Sequence, residues 1–98
     1  MTEEMIKKAE AMGANRWQKN GKDRLYLNAE AFGYTWETYN TGNIKNAWLD
    51  GRRISNSEMR RVLFAKTYID VETGKVVSGY NESDYSKQVE KFVNELGI

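Results

Sequence analysis

Apolar and polar residues recur along this chain with two periods, and each change of period marks the edge of a short element. Met5, Ile6, Ala9 and Met12 fall at offsets of zero, one, four and seven, which predicts a helix over residues 3–12 that Gly13 stops. From Asn15 to Leu27 the period is two on both sides of Asn20-Gly21, the pattern of a β-hairpin. Two registers compete here. A two-residue turn sets Trp17 opposite Arg24 and divides the apolar residues between the faces. A three-residue loop, Lys19-Asn20-Gly21, sets Trp17 opposite Asp23 and Asn15 opposite Leu25, gathering Trp17, Leu25 and Leu27 on one side. A half-buried sheet needs one coherent apolar face, which favours the second register. Its opposite face would display Arg16, Gln18, Lys22, Arg24 and Tyr26.

Asn28 is placed to cap a single helical turn, Ala29 to Phe32, which Gly33 ends. Strands follow over Tyr34–Tyr39 and Ile44–Leu49, with Arg52–Ile54 as a short partner beyond Asp50-Gly51. Ser55 and Glu58 form a capping box that opens a helix from Asn56 to Ala65. Met59, Val62 and Leu63 would face inward, and Arg60, Arg61 and Phe64 outward. A second hairpin, Tyr68–Val71 with Val76–Ser78, turns at Gly74. Tyr85, Val89, Phe92, Val93 and Leu96, at offsets of 0, 4, 7, 8 and 11, mark a last helix capped by Ser83 or Asp84. This order predicts one α+β domain over residues 1–98, a mainly antiparallel sheet built from hairpins with about three helices packed on one face.

Composition narrows the chemistry. The 98 residues include no cysteine and no histidine, so disulfides, thiolate nucleophiles, cysteine-bearing zinc sites and imidazole proton shuttles are all excluded. No enzymatic activity, cofactor or metal ligand set is expected. Thr73-Gly74-Lys75 lacks the earlier glycine of a phosphate loop, since Ile69 occupies that position, and reads as a hairpin turn. Asp70 and Glu72 flank the same turn without a third oxygen ligand at a recognisable spacing, and Ser55 is accounted for as a cap. The opening Met1-Thr2-Glu3-Glu4 is acidic and no apolar run is long enough to span a bilayer, which points to a cytoplasmic protein without a membrane partner.

Charge is unevenly spread. Residues 1–13 sum to −1, residues 14–66 to +5 and residues 67–98 to −3, so a near-neutral chain has a basic middle. That middle also holds Trp17, Tyr26, Phe32, Tyr34, Trp36, Tyr39 and Trp48. A domain this small must build its core from large side chains, which assigns most of these aromatics to the interior. The remaining signal is that of a binding module. Tyrosine, tryptophan and arginine are enriched at interface hot spots, and two surfaces offer them: one around Arg16, Arg24 and Tyr26, the other a basic patch of Arg52, Arg53, Arg60, Arg61 and Phe64 suited to an acidic protein. Single-stranded nucleic acid is the alternative, with aromatics stacking bases and arginines holding phosphates. The near-zero net charge weighs against it. Arg16–Asn28 and Ile54-Ser55-Asn56-Ser57 resemble stretches of small bacterial or phage proteins, a likeness that implies no particular activity.

Overall fold

The computed structural model describes residues 1–97. Helix α1 (Glu3–Ala11) leads into the hairpin β1 (Ala14–Lys19) and β2 (Lys22–Leu27), then a 3-10 turn (Ala29–Phe32). Strands β3 (Tyr34–Thr38), β4 (Ile44–Leu49) and β5 (Arg52–Ile54) precede α2 (Asn56–Leu63), and the short strands β6 (Tyr68–Asp70) and β7 (Val76–Val77) precede α3 (Ser83–Leu96). The α+β architecture with antiparallel pairing throughout is the one expected. The strands form two sheets, β1-β2-β6-β7 and β3-β4-β5. The break falls after β2, where the chain leaves for the second sheet and returns to pair β6 against β2 through Leu25↔Ile69 and Tyr26↔Tyr68. No helix among the described residues is long and apolar enough to cross a membrane.

The first hairpin adopts the register that the apolar pattern disfavours. Trp17 pairs with Arg24 and Arg16 with Leu25, across a two-residue turn. Asn20 and Gly21 both have positive φ, at 53° and 75°. That is the geometry of a type I′ turn, whose twist matches that of the strands it joins. Asn tolerates the left-handed region and Gly adopts it freely, so the turn chemistry is satisfied locally before any face is chosen. One consequence is that Trp17 leaves the apolar face. The other is that Arg16 turns inward, beside Leu25.

A bulge serves the second sheet. Glu37 pairs with Asn46 and Thr38 with Ile44, leaving Lys45 as the extra residue. The skipped position lets Ile44 bury alongside Ala47 and Leu49 while Lys45 stays in water.

One continuous core joins both sheets. Ile6 and Ala9 of α1, Leu25, Leu27 and Ile69 of the first sheet, Tyr34, Ala47 and Leu49 of the second, and Tyr85, Val89, Phe92 and Leu96 of α3 belong to the same buried cluster. Phe32 meets Tyr85 and Phe92 edge-on at 5.6 and 5.7 Å. Thr67, the one buried polar residue among those described, bonds to Ser78 at 2.8 Å and Tyr85 at 2.5 Å, tying the approach to β6 onto α3.

The helix ends depart from expectation in detail. Glu82 rather than Ser83 or Asp84 caps α3, accepting bonds from the amides of Asp84 and Tyr85. Its longer side chain can reach back over the first turn. Ser55 accepts from the Glu58 amide as expected, but α2 ends at Leu63, and Leu63 is 39% exposed instead of packed inward. At about 100° per residue Leu63 falls on the flank of the stripe formed by Met59 and Val62, which takes the core-facing side. Asn28 makes no side-chain cap bond and instead donates to the Gly13 carbonyl at 2.9 Å.

Gly33 is the tightest joint. Its φ is 90°, its carbonyl accepts from the Asp50 amide at 2.9 Å, and a Cβ there would lie 2.1 Å from Asp50 Oδ1. Gln88 of α3 adds bonds to the Phe32 carbonyl and to Asp50. Gly33→Ala should therefore lower stability by about 1–3 kcal/mol, from left-handed strain plus the contact with Asp50. Thermal unfolding checks this. An unchanged Tm would show that the joint relaxes freely.

Candidate functional site

Register decides which side chains share a surface. On the first sheet, the face turned away from the core carries Asn15, Trp17 and Lys19 from β1, Lys22, Arg24 and Tyr26 from β2, and Tyr68 and Asp70 from β6. Arg24 sits at its centre. Its guanidinium lies 4.2 Å from the Tyr68 ring centroid and 5.7 Å from that of Trp17, and Nη1 donates to the Tyr26 hydroxyl at 3.1 Å. Tyr26 meets Trp17 edge-on at 6.2 Å and Tyr68 at 5.4 Å. These cation–π contacts and the tyrosine bond hold the arginine in place without a close ion pair, with Asp70 of β6 opposite it in the sheet. Trp17 remains 38% exposed.

The face is also basic. Lys19, Lys22 and Arg24 stand against a single strand acid, Asp70, and Asp70 Oδ1 is engaged by the amides of Glu72 and Thr73 in the following turn. Beyond Tyr26 the surface dips into a cleft of about 360 Å³ whose lining includes Trp36, Val62, Leu63 and Lys66. A recess of mixed polarity, with Glu30, Lys66 and Asn28 beside its apolar side chains, thus adjoins the aromatic cluster.

The outer face of the second sheet repeats the cross-strand pairing and differs in charge. Trp48 lies opposite Arg53 across a second turn with positive φ at Asp50 and Gly51, and the guanidinium is 5.8 Å from the indole. Here Arg53 donates to Asn46, whose amide donates in turn to Glu37 at 3.1 Å. The network satisfies itself.

Of the residues singled out from the sequence, Arg24 and Tyr26 come together and Arg16 does not join them. Arg16 lies on the core side, where Nη2 meets Asp23 at 2.7 Å and Nη1 meets Glu3 at 3.3 Å. Arg52 and Arg53, adjacent in a strand, point to opposite faces. Arg52 approaches Asp84 at 3.9 Å, and Arg61 lies beside Tyr80. The basic patch of Arg52, Arg53, Arg60, Arg61 and Phe64 is therefore divided and partly neutralised, although Arg60 is exposed and Phe64 is 75% exposed at the end of α2.

Sequence reasoning missed Trp17 and Tyr68. The local signal for Trp17 was Asn20-Gly21 itself, while the Tyr68 contact depends on β6 returning to β2. The expectation that most middle aromatics are interior is also corrected: Phe32 and Tyr34 are buried, whereas Trp17 and Tyr39 are exposed and Tyr26, Trp36 and Trp48 half-buried. The two outer sheet faces leave more aromatic surface open than size alone implies.

Compared with protein-family models, curated proteins and solved structures, the chain has no match.

The Arg16–Asp23 pair yields a pH prediction. The hydrogen bond from Arg16 holds the Asp23 carboxyl below the usual aspartate range, against an opposing effect of desolvation. A depressed folded-state pKa contributes stability above the ordinary aspartate pKa, lost as pH falls through the depressed value. The Tm of the wild type should thus drop more steeply than that of Asp23→Asn between about pH 5 and pH 2. Parallel curves would remove this pair from the acid response.

Proposed function

We propose that this protein is a non-catalytic binding module that engages a protein partner through the outer face of the four-stranded sheet. The observation that carries the reading is the positioned Arg24, which makes no close ion pair, lies over the Tyr68 and Trp17 rings and is bonded to Tyr26. Tryptophan, tyrosine and arginine dominate interface hot spots because they bring large contact area and directed donors at low ordering cost. Here the ordering has already occurred within the free chain, which reduces the entropy lost on association. The surrounding Lys19 and Lys22 favour an acidic partner by complementarity.

Single-stranded nucleic acid is the second reading, supported by the same basic and aromatic composition. Arg24 already covers the Tyr68 ring that a base would need for stacking. That favours the protein partner.

Capture from native lysate with wild type, Trp17→Ala, Arg24→Glu and Arg60→Glu compares the surfaces directly. Partner recovery should fall about ten-fold or more with the first two variants and persist with Arg60→Glu. Identical recovery with all four proteins would exclude this face. Tight binding to single-stranded RNA or DNA that weakens steeply with salt would favour the second reading.

A further inference from the structure

The turn that sets the register of the first hairpin is also its most reactive dipeptide. Asn20-Gly21 is the one Asn-Gly pair in the 98 residues. The Cγ of an asparagine is an electrophile within reach of the next residue's amide nitrogen, and glycine, with no Cβ, presents that nitrogen with the least hindrance. Both residues are exposed, a Cβ on Gly21 would meet no atom within 4 Å, and the Gly21 amide has no backbone partner among the described residues. The native turn delays attack. With a φ of 53° Asn20 is left-handed, which points the Gly21 nitrogen away from the side-chain carbonyl, so the tip must open before the two can meet. Opening is favoured here. β1 is the edge of its sheet, and the rung that closes the turn sets Lys19 directly opposite Lys22. Like charges facing each other across strands weaken that rung, and the same ammonium groups favour the amide anion that attacks. The second turn of this kind, Asp50-Gly51, is held from outside its hairpin. Asp50 Oδ2 accepts from Gln88 at 3.2 Å, the Asp50 amide donates to the Gly33 carbonyl at 2.9 Å, and the closing rung pairs Leu49 with Arg52.

We infer that Asn20 is a site of spontaneous deamidation and that its isoaspartyl product dismantles the Trp17–Arg24 face. The Gly21 nitrogen bonds to Asn20 Cγ and the Cγ–NH2 bond breaks, so that ammonia leaves with the Gly21 amide proton and a cyclic imide remains. Water then opens the imide at one of its two carbonyls. Cleavage at the side-chain carbonyl gives aspartate, while cleavage at the main-chain carbonyl gives isoaspartate, whose main chain runs through Cβ and Cγ. One water is consumed and one ammonia released, with no oxidant or reductant. The aspartyl product keeps an Asp-Gly pair, itself suited to a type I′ turn. The isoaspartyl product does not. Its main chain is longer by a methylene, so the two-residue loop that sets Trp17 opposite Arg24 is gone. The hairpin thus acts as a chemical clock: new chains carry the outer face and aged chains lose it. This depends on the turn alone, whatever the face binds.

Folded full-length protein held in mildly alkaline buffer, sampled over time and mapped by mass spectrometry after digestion in acid, tests this. Asn20 should be the first asparagine to lose its amide, at a rate that rises in proportion to hydroxide, and should yield both aspartyl and isoaspartyl forms while Asp50 stays in its ordinary linkage. Lys22→Glu replaces repulsion by attraction across the closing rung and should slow the conversion about two-fold or more. Asn20→Asp reproduces the aspartyl product and should retain the backbone contacts between Trp17 and Arg24 in nuclear Overhauser spectra. The isoaspartyl form, separated from aged wild type by ion exchange, should lose them. Another asparagine converting ahead of Asn20 overturns the site, and conversion of Lys22→Glu at the wild-type rate overturns the part given to the lysine pair. An isoaspartyl form that keeps Trp17 opposite Arg24, or its absence from aged protein, overturns the clock.

Discussion

Because side chains alternate along a strand, the conformation of two residues at a turn can assign every side chain of a hairpin to one face or the other. Asn20 and Gly21 do this here. Their left-handed backbone makes the loop two residues long, and that length places Trp17 opposite Arg24. All that distinguishes the outer face follows from it: the indole beside the guanidinium, the tyrosine that bonds the guanidinium, and the second tyrosine that β6 brings underneath. A loop longer by one residue would send Trp17 toward the core and dismantle the cluster.

Arg16 shows the cost of that choice and how it is met. The register that frees Trp17 turns Arg16 toward Leu25, where a lone charge would be unfavourable. Asp23 from the paired strand and Glu3 from α1 neutralise it, and the pairing also links the hairpin to the helix that covers it. The two outer faces then differ in a way that net charge conceals. On the second sheet Glu37 balances Arg53 through Asn46, and Asp84 lies near Arg52. On the first sheet Asp70 is the one strand acid, opposite Arg24, against Lys19, Lys22 and Arg24. A chain of formal charge +1 can therefore present one basic surface.

Periodicity was enough to find the helices, the hairpins and most of the core, because Ile6, Leu25, Leu27, Met59, Val62, Val89 and Phe92 sit where a stripe or an alternation puts them. It erred where two local rules conflicted. Gathering Trp17 with Leu25 and Leu27 is reasonable for an apolar pattern, but a tryptophan can satisfy its surface against an arginine and a tyrosine as well as in a core. The turn had no such latitude. Arg24 and Tyr26 were legible as a pair two residues apart on one strand. Tyr68 was not, since its place depends on a pairing with β2 across more than forty residues of intervening chain. Arg52 and Arg53 look like one basic cluster in sequence and are separated by the same alternation that joins Arg24 to Tyr26.

Cross-strand nuclear Overhauser contacts of Trp17 in the free protein test the register most directly. The turn geometry predicts backbone contacts between Trp17 and Arg24, and indole contacts to the Arg24 methylenes and the Tyr26 ring. Backbone pairing of Trp17 with Asp23, with the indole against the methyl groups of Leu25 and Leu27, would contradict this register and dissolve the aromatic–arginine face.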